Sequence, residues 1–188
     1  DPEYKQKVKK LEKYQKQAKR GDLLLYYQDE IDLNLLPGIM RCWTLEGVQR
    51  KVPTPGGNQK QYGFGAVNYV SGQTVHRIEE RKNSVGFCAF IEQFMQTATQ
   101  APDYHGQKIV LVVDNFIIHR SRKTQDFLKK YKDRLVLFLL PTYSPWLNLI
   151  ERLWKHLRRK VTHNHLFASL ADLVKAVCSF LETLNTTP

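Results

Sequence analysis

Cysteine is scarce: Cys42, Cys88 and Cys178 are scattered along 188 residues with no CxxC pair. An odd, unclustered set argues against a disulfide framework and for a reducing, intracellular setting, with each thiol a small core residue. The six histidines show no Cys/His zinc spacing, and His163-Asn164-His165 reads as a turn or solvated loop. Long apolar runs are absent too. The longest, KIVLVV and LVLFLL, are far too short to cross a bilayer, and no signal-peptide pattern opens the chain. The chain starts Asp1–Pro2 without Met, so a fragment of a longer protein is expected. The loop PTPGGNQKQ lacks GK[ST] and so is not a P-loop. Gly63 and Gly65 lie inside a strand pattern, where a dinucleotide fingerprint does not belong.

Acidic residues are outnumbered, 18 against 29 Lys and Arg, for a formal charge of +11. Such an excess favours a polyanionic partner, nucleic acid before an acidic membrane surface, since no basic amphipathic anchor with exposed Trp or Phe stands out. The 42% hydrophobic content and the length fit one domain with a real core, or one plus a short appendage.

Periodicity sets out the elements. Residues 3–20 read as a basic helix or a linker, with Val8, Leu11, Tyr14 and Ala18 at helical spacing, broken by Gly21–Asp22. LLLYYQDE (23–30) reads as a buried strand. A short strand is expected around Cys42–Trp43, a turn at Glu46–Gly47, and a further extended piece at Val48–Val52. Residues 62–70 and 73–78 form a hairpin about Ser71–Gly72. A helix follows over 84–100, with Phe87, Ile91, Phe94, Met95 and Ala98 on one face. KIVLVVDN (108–115) and RLVLFLLP (134–141) read as buried parallel strands around a basic helix at 121–132. Ser144 and Pro145 are expected to cap and open a helix running to about 161, its packed stripe being Trp146, Ile150, Leu153, Leu157 and Val161. A last helix covers about 168–184. The order predicts an α/β fold, a five-stranded mixed sheet with helices on both faces, as in the ribonuclease H-like fold. The expected division is 1–21 as helix or linker and 22–188 as the domain.

Three acids fall at telling places: Asp29 or Glu30 at the end of the first strand, Asp114 at the end of the first crossover strand, and Glu151 on the helix after the next. Side chains alternate along a strand, so only one of Asp29 and Glu30 can share a face with Asp114. Asn148 lies one turn before Glu151. Converging carboxylates are stable together only with shared protons or bound cations, and oxygen ligands favour Mg²⁺ or Mn²⁺. Two such ions roughly 4 Å apart can activate a water or a 3′-hydroxyl and steady the leaving oxygen of a phosphodiester. Plainer readings exist: Asp29 as a mere strand end, Asp114–Asn115 as a turn, and Glu151 as an ion-pair partner of Lys155.

LYYQDE, LVVDNFIIH and LPTYSPWLNLIERLWKHLRR together resemble the three catalytic blocks of DDE transposases, nearest the bacterial insertion-sequence branch of the mariner-like superfamily. The resemblance covers about residues 22–165, and the 36 residues between Asp114 and Glu151 match that branch. It implies Asp29, Asp114 and Glu151 as catalytic and metal-binding acids, with Glu30, Asn115, His119 and Asn148 near the site. His119 is then a positioning or structural residue, since metal activation makes a base dispensable. Many relatives carry an acid where Trp146 stands and Pro where Leu149 stands; neither departure touches the three acids.

The activity implied is Mg²⁺-dependent cleavage of DNA at transposon ends, with two ions and Mn²⁺ as substitute, followed by strand transfer. Its rivals are a nuclease of this fold without strand transfer and a non-catalytic DNA-binding remnant. Arg120, Arg122, Lys123, Arg152, Lys155, Arg158 and Arg159, with Lys160, are candidate DNA contacts. The implied partners are DNA and, in the active complex, a second copy, with no membrane. The implied location is the bacterial cytoplasm, with the nucleoid. The upstream DNA-recognition region that relatives carry is not among these residues.

Overall fold

The computed structural model describes residues 2–186. Five strands form one mixed sheet: β1 (Leu23–Asn34), β2 (Lys60–Asn68), β3 (Thr74–Glu79), β4 (Lys108–Val113) and β5 (Leu135–Leu139). Their spatial order is β3-β2-β1-β4-β5. The first three are antiparallel, and β4 and β5 run parallel to β1. The expected five-stranded mixed sheet is therefore present.

The alternation of β1 divides the core in two. Leu23, Leu25, Tyr27, Ile31 and Leu33 join Val110 and Val112 on one face. That face is covered by α1 (Tyr4–Lys19), α5 (Ile150–Leu157) and α6 (Leu170–Thr186). Leu24 and Tyr26, with Ile109, Leu111 and Val113, face the other way onto α2 (Ser84–Gln100). Asn83 caps α2 by accepting from the Val85 and Gly86 amides. The basic first helix docks through buried Leu11 and Ala18, and Gln15 donates to the Tyr27 hydroxyl at 2.7 Å.

Several expectations are corrected. No strand forms at Cys42–Trp43 or Val48–Val52; residues 35–59 are irregular and mostly exposed, and contribute no strand to the sheet. The strand before them runs on to Asn34, because Ile31 and Leu33 keep the inward alternation going. The helix expected at 121–132 is α3 (Ile117–Arg120), then α4 (Arg122–Leu128), then a 3₁₀ turn. Ser121 divides the first two, since its backbone is extended and its hydroxyl accepts from the Thr124 amide. Pro145 opens only a 3₁₀ turn, Pro145–Leu147, and Ser144 makes no side-chain cap. Helix α5 starts at Ile150 and passes into a π turn, Arg158–Thr162. The restart moves the packed stripe to Ile150, Trp154 and Leu157, and leaves Trp146 66% exposed. His163–His165 is a turn: Asn164 has φ 55° and holds both the amide and carbonyl of Met40.

Candidate active site

The parallel register of β1 and β4 carries the acids together. Tyr27 pairs with Val112, so two residues on Asp29 stands level with Asp114 on the same face. Glu30, one residue away, points to the other face. Glu151 comes from above, on the first turn of α5, where a helix N-terminus favours a carboxylate. Asp29, Asp114 and Glu151 line one pocket of about 290 Å³, walled also by Asn115, Phe116, Asn148 and residues 140–145.

A glycine sets the position of α5. Gly65 on β2 pairs with Asp29. A Cβ there would come within 2.4 Å of Trp154 Cη2, so only glycine lets the Trp154 ring lie over the strand. Trp154 is one turn from Glu151, and thereby fixes its height above the strand ends.

Asp29 is pushed up to about 8, first by burial, then by Glu30, and also by Glu151 and Asp114. Without a cation the folded site keeps Asp29 protonated at neutral pH.

On the far side His119 is fully buried between two acids. Its Nδ1 is 3.2 Å from both the carbonyl and Oδ1 of Asp114, and its Nε2 is 3.1 Å from Glu30 Oε1. Nδ1 faces acceptors at Asp114 and so carries the ring proton. Burial lowers His119 to about 4 and raises Glu30 to about 7. Nδ1–H donates to Asp114, and the unprotonated Nε2 of the neutral ring faces Glu30 Oε1, which also accepts from Gln28 Nε2 at 2.9 Å. The Phe116 amide also donates to Asp114 Oδ1, at 2.8 Å. Asp114 is thus held from behind while half of its side chain stays exposed.

Two asparagines tie the walls. Asn115 Nδ2 donates to the Leu140 carbonyl, joining the turn after β4 to the loop after β5. Asn148 Nδ2 donates to the Gln28 carbonyl at 2.9 Å, while its Oδ1 is buried without a hydrogen-bond partner.

The basic residues separate into groups. Lys155, Arg158 and Arg159 line a second hollow that starts at Glu151 and includes Met40, Arg41 and His163. Arg152 and Lys160 are exposed on the same stretch without lining it. Arg120, Arg122 and Lys123 are exposed outside both hollows, and Arg122 lies 3.9 Å from Asp126. No Glu151–Lys155 ion pair forms among the described residues. The sequence reading missed Arg41, which a long-range contact brings in, and the rim residues Phe116 and Tyr143.

The family model for the DDE superfamily endonuclease matches residues 24–174, a span that holds all three acids. The chain belongs to that family. This DDE endonuclease chain is 38% identical over 164 residues to the insertion element IS630 uncharacterized 39 kDa protein of Shigella sonnei, covering 87% of the chain and 46% of that protein. Among solved structures it resembles the Mos1 transposase paired-end complex with left transposon end, with a TM-score of 0.68 at 12% identity over 97% of the chain and 55% of Mos1. The Mos1 paired end complex with Mn gives 0.62 at 12% identity, over 99% of the chain and 60% of that one. The catalytic core domain of BIV integrase gives 0.52 at 15% identity, over 87% and 84%. At these identities the likeness is one of fold, and the fold is ribonuclease H-like. The DDE chain spans about half the length of the IS630 protein and of Mos1.

The donor chemistry suits a hard divalent cation: three carboxylates, one of them pushed up chiefly by its burial and by Glu30, and an unpaired amide oxygen. Among the described residues no three His, Cys, Asp or Glu side chains converge into a ready-made ion site, so the acids wall a pocket without closing a cage. No helix among the described residues is long and apolar enough to cross a membrane.

Proposed function

We propose that this chain is the catalytic domain of a bacterial insertion-sequence transposase, cutting DNA at the element's ends and joining the freed strands to target DNA. The observation that carries it is the meeting of Asp29, Asp114 and Glu151 on one pocket from three elements far apart in sequence. The IS630 relationship and the likeness to Mos1 support the same reading.

Asp29, Asp114 and Glu151 would hold two Mg²⁺ ions, with Mn²⁺ as substitute. When bound, such ions supply nucleophile activation and charge stabilisation at the leaving oxygen. Cleavage forms a bond from water oxygen to phosphorus and breaks the bond from phosphorus to the 3′-oxygen, leaving a 3′-hydroxyl and a 5′-phosphate. In transfer that hydroxyl oxygen attacks a target phosphodiester in line, and the target strand's own 3′-oxygen departs. His119 is wholly buried and faces no solvent, so its work is to hold Asp114. Lys155, Arg158, Arg159 and Arg41 would grip backbone phosphates beside Glu151. The reading also takes in a second copy in the active complex and a cytoplasmic, nucleoid-associated setting.

Asp114→Asn should abolish Mg²⁺-dependent nicking while leaving DNA affinity near normal; unchanged nicking removes the assignment. A strand-transfer assay with pre-cut ends separates transposase from plain nuclease: joined product is expected, and cleavage without joining favours the nuclease.

A further inference from the structure

The first helix carries a basic face that nothing else in the chain neutralises. Helix α1 reads YKQKVKKLEKYQKQAK, with seven lysines against one acid, Glu12. At about 100° per residue, Lys5, Lys9, Lys13 and Lys16, with Arg20 at the C-cap, fall within about 80° of one another. All five are exposed, on the side away from Leu11 and Ala18, which dock the helix on the sheet. Lys5, Lys9 and Lys13 follow at one-turn intervals, as do Lys16 and Arg20. Like charges at that spacing repel. Interleaved acids would relieve the repulsion, yet among the described residues none of the five makes an ion pair; the pair at the start of α1 joins Lys7 to Glu3. The helix is aimed at the end of the sheet that holds the acids. Lys19 Nζ lies 5.8 Å from the ring centre of Tyr69, whose amide donates to the Leu25 carbonyl. Gln15 reaches Tyr27, and Tyr14 packs edge-on against Phe138 of β5. Going back along α1 therefore means going up β1 toward Asp29, and across to β5, which passes into the pocket wall at Leu140. The stripe lines neither the acidic pocket nor the basic hollow beside Glu151.

We propose that the stripe Lys5, Lys9, Lys13, Lys16 and Arg20 is a docking surface for the phosphate backbone of duplex DNA, holding the flank of the molecule whose reacting phosphate lies in the acidic pocket. The inference rests on the DNA-cleaving reading and adds a second grip, remote from the chemistry. From Lys5 to Arg20 the stripe runs roughly 22 Å at 1.5 Å per residue, about two-thirds of a duplex turn. A row of cations of that length faces a continuous row of phosphates, and binding releases the counterions held there. An anionic membrane fits less well, because the outward face carries no Trp, Phe or Leu to insert beside the lysines.

The test is the salt dependence of the full chain's binding to a duplex of about 24 base pairs, measured in EDTA so that nothing is cut. Lys5→Gln, Lys9→Gln, Lys13→Gln and Lys16→Gln combined keep good helix formers, and should lower the slope of log affinity against log salt by about 3–4. Each substitution alone should lower it by about 1, so the result does not depend on the quadruple variant folding. The same four lysines changed to Arg should keep the wild-type slope. Lys129→Gln, Lys130→Gln, Lys132→Gln and Arg134→Gln combined remove as much charge from exposed positions at the entry to β5, the other end of the sheet, and should change the slope by less than about 1. A wild-type slope in the α1 variants, or an equal fall in both quadruple variants, overturns the docking surface. Binding to phosphatidylserine vesicles that the α1 substitutions abolish, with the DNA slope unmoved, assigns the stripe to a membrane and overturns it too. Mg²⁺-dependent nicking is read in parallel. A lowered slope in a chain that nicks no DNA leaves the grip standing and sinks the cleaving reading; nicking with an unmoved slope does the reverse.

Discussion

Asp29 carries the site's electrostatic strain. Its ordinary value is 3.8 and its folded value about 8. Between those values the folded chain holds a proton that the unfolded chain has released, so stability falls as pH rises. The contribution is fully present below 3.8 and lost as pH climbs through about 8. Metal-free protein should therefore melt lower at pH 8 than at pH 5, and Asp29→Asn should flatten that slope. The gain at pH 8 is roughly 2–4 °C for each kcal/mol relieved. Calorimetry in EDTA checks it; an unchanged slope means that Asp29 is not the strained acid. His119→Ala removes the support behind Asp114 and leaves buried Glu30 with Gln28 but without the imidazole. Mn²⁺ affinity should drop about 10–100-fold, read by calorimetric titration, and stability by roughly 1–3 kcal/mol. Much of this residue set was legible in the sequence. Strand alternation allowed only one of Asp29 and Glu30 on the Asp114 face, and the register selects Asp29. The Glu30–His119 contact was not legible, because it joins residues 89 apart through a buried ring.

At the scale of elements, α5 is a lever set by one glycine. Gly65→Ala puts a Cβ into the rigid Trp154 ring, so a loss of about 1–3 kcal/mol in denaturant unfolding is expected. Trp154→Phe in the same chain should recover part of it, giving a coupling energy in a double-mutant cycle. Strict additivity would mean that the two do not touch. The sequence marked Gly65 as a strand glycine without a reason, and the reason is this ring from 89 residues away. The start of α5 was misplaced for a similar cause. Local signals at Ser144 and Pro145 favour a helix from 145, but Asn148 turns to give its amide to the Gln28 carbonyl, and a helix phase cannot run through that extended residue. The strand expected near Cys42 failed because local strand propensity needs a neighbouring strand to pair with, and residues 35–59 only connect β1 to β2, which pair with each other.

Over the whole molecule, the +11 charge has a place to act. Lys155, Arg158 and Arg159 gather beside Glu151, while Arg120, Arg122 and Lys123 stand apart. Substituting any one of the first three by Ala should lower the salt slope of DNA binding by about 1, uniformly across sequences. Arg122→Ala should change it less. Binding should show no marked sequence preference, and a steep preference for one terminal sequence over scrambled DNA would contradict that. The order of elements and a five-stranded mixed sheet followed from the run of strand and helix patterns, whereas the path of the basic hollow needed the turn at Asn164 that pins Met40 and its neighbour Arg41 against the end of α5. The most direct measurement is an anomalous difference map from crystals soaked in Mn²⁺. Peaks bounded by Asp29, Asp114 and Glu151, with Glu30 outside the coordination, are the predicted result. Ions bound elsewhere, or held by Glu30 with Glu151 turned away, would contradict the account.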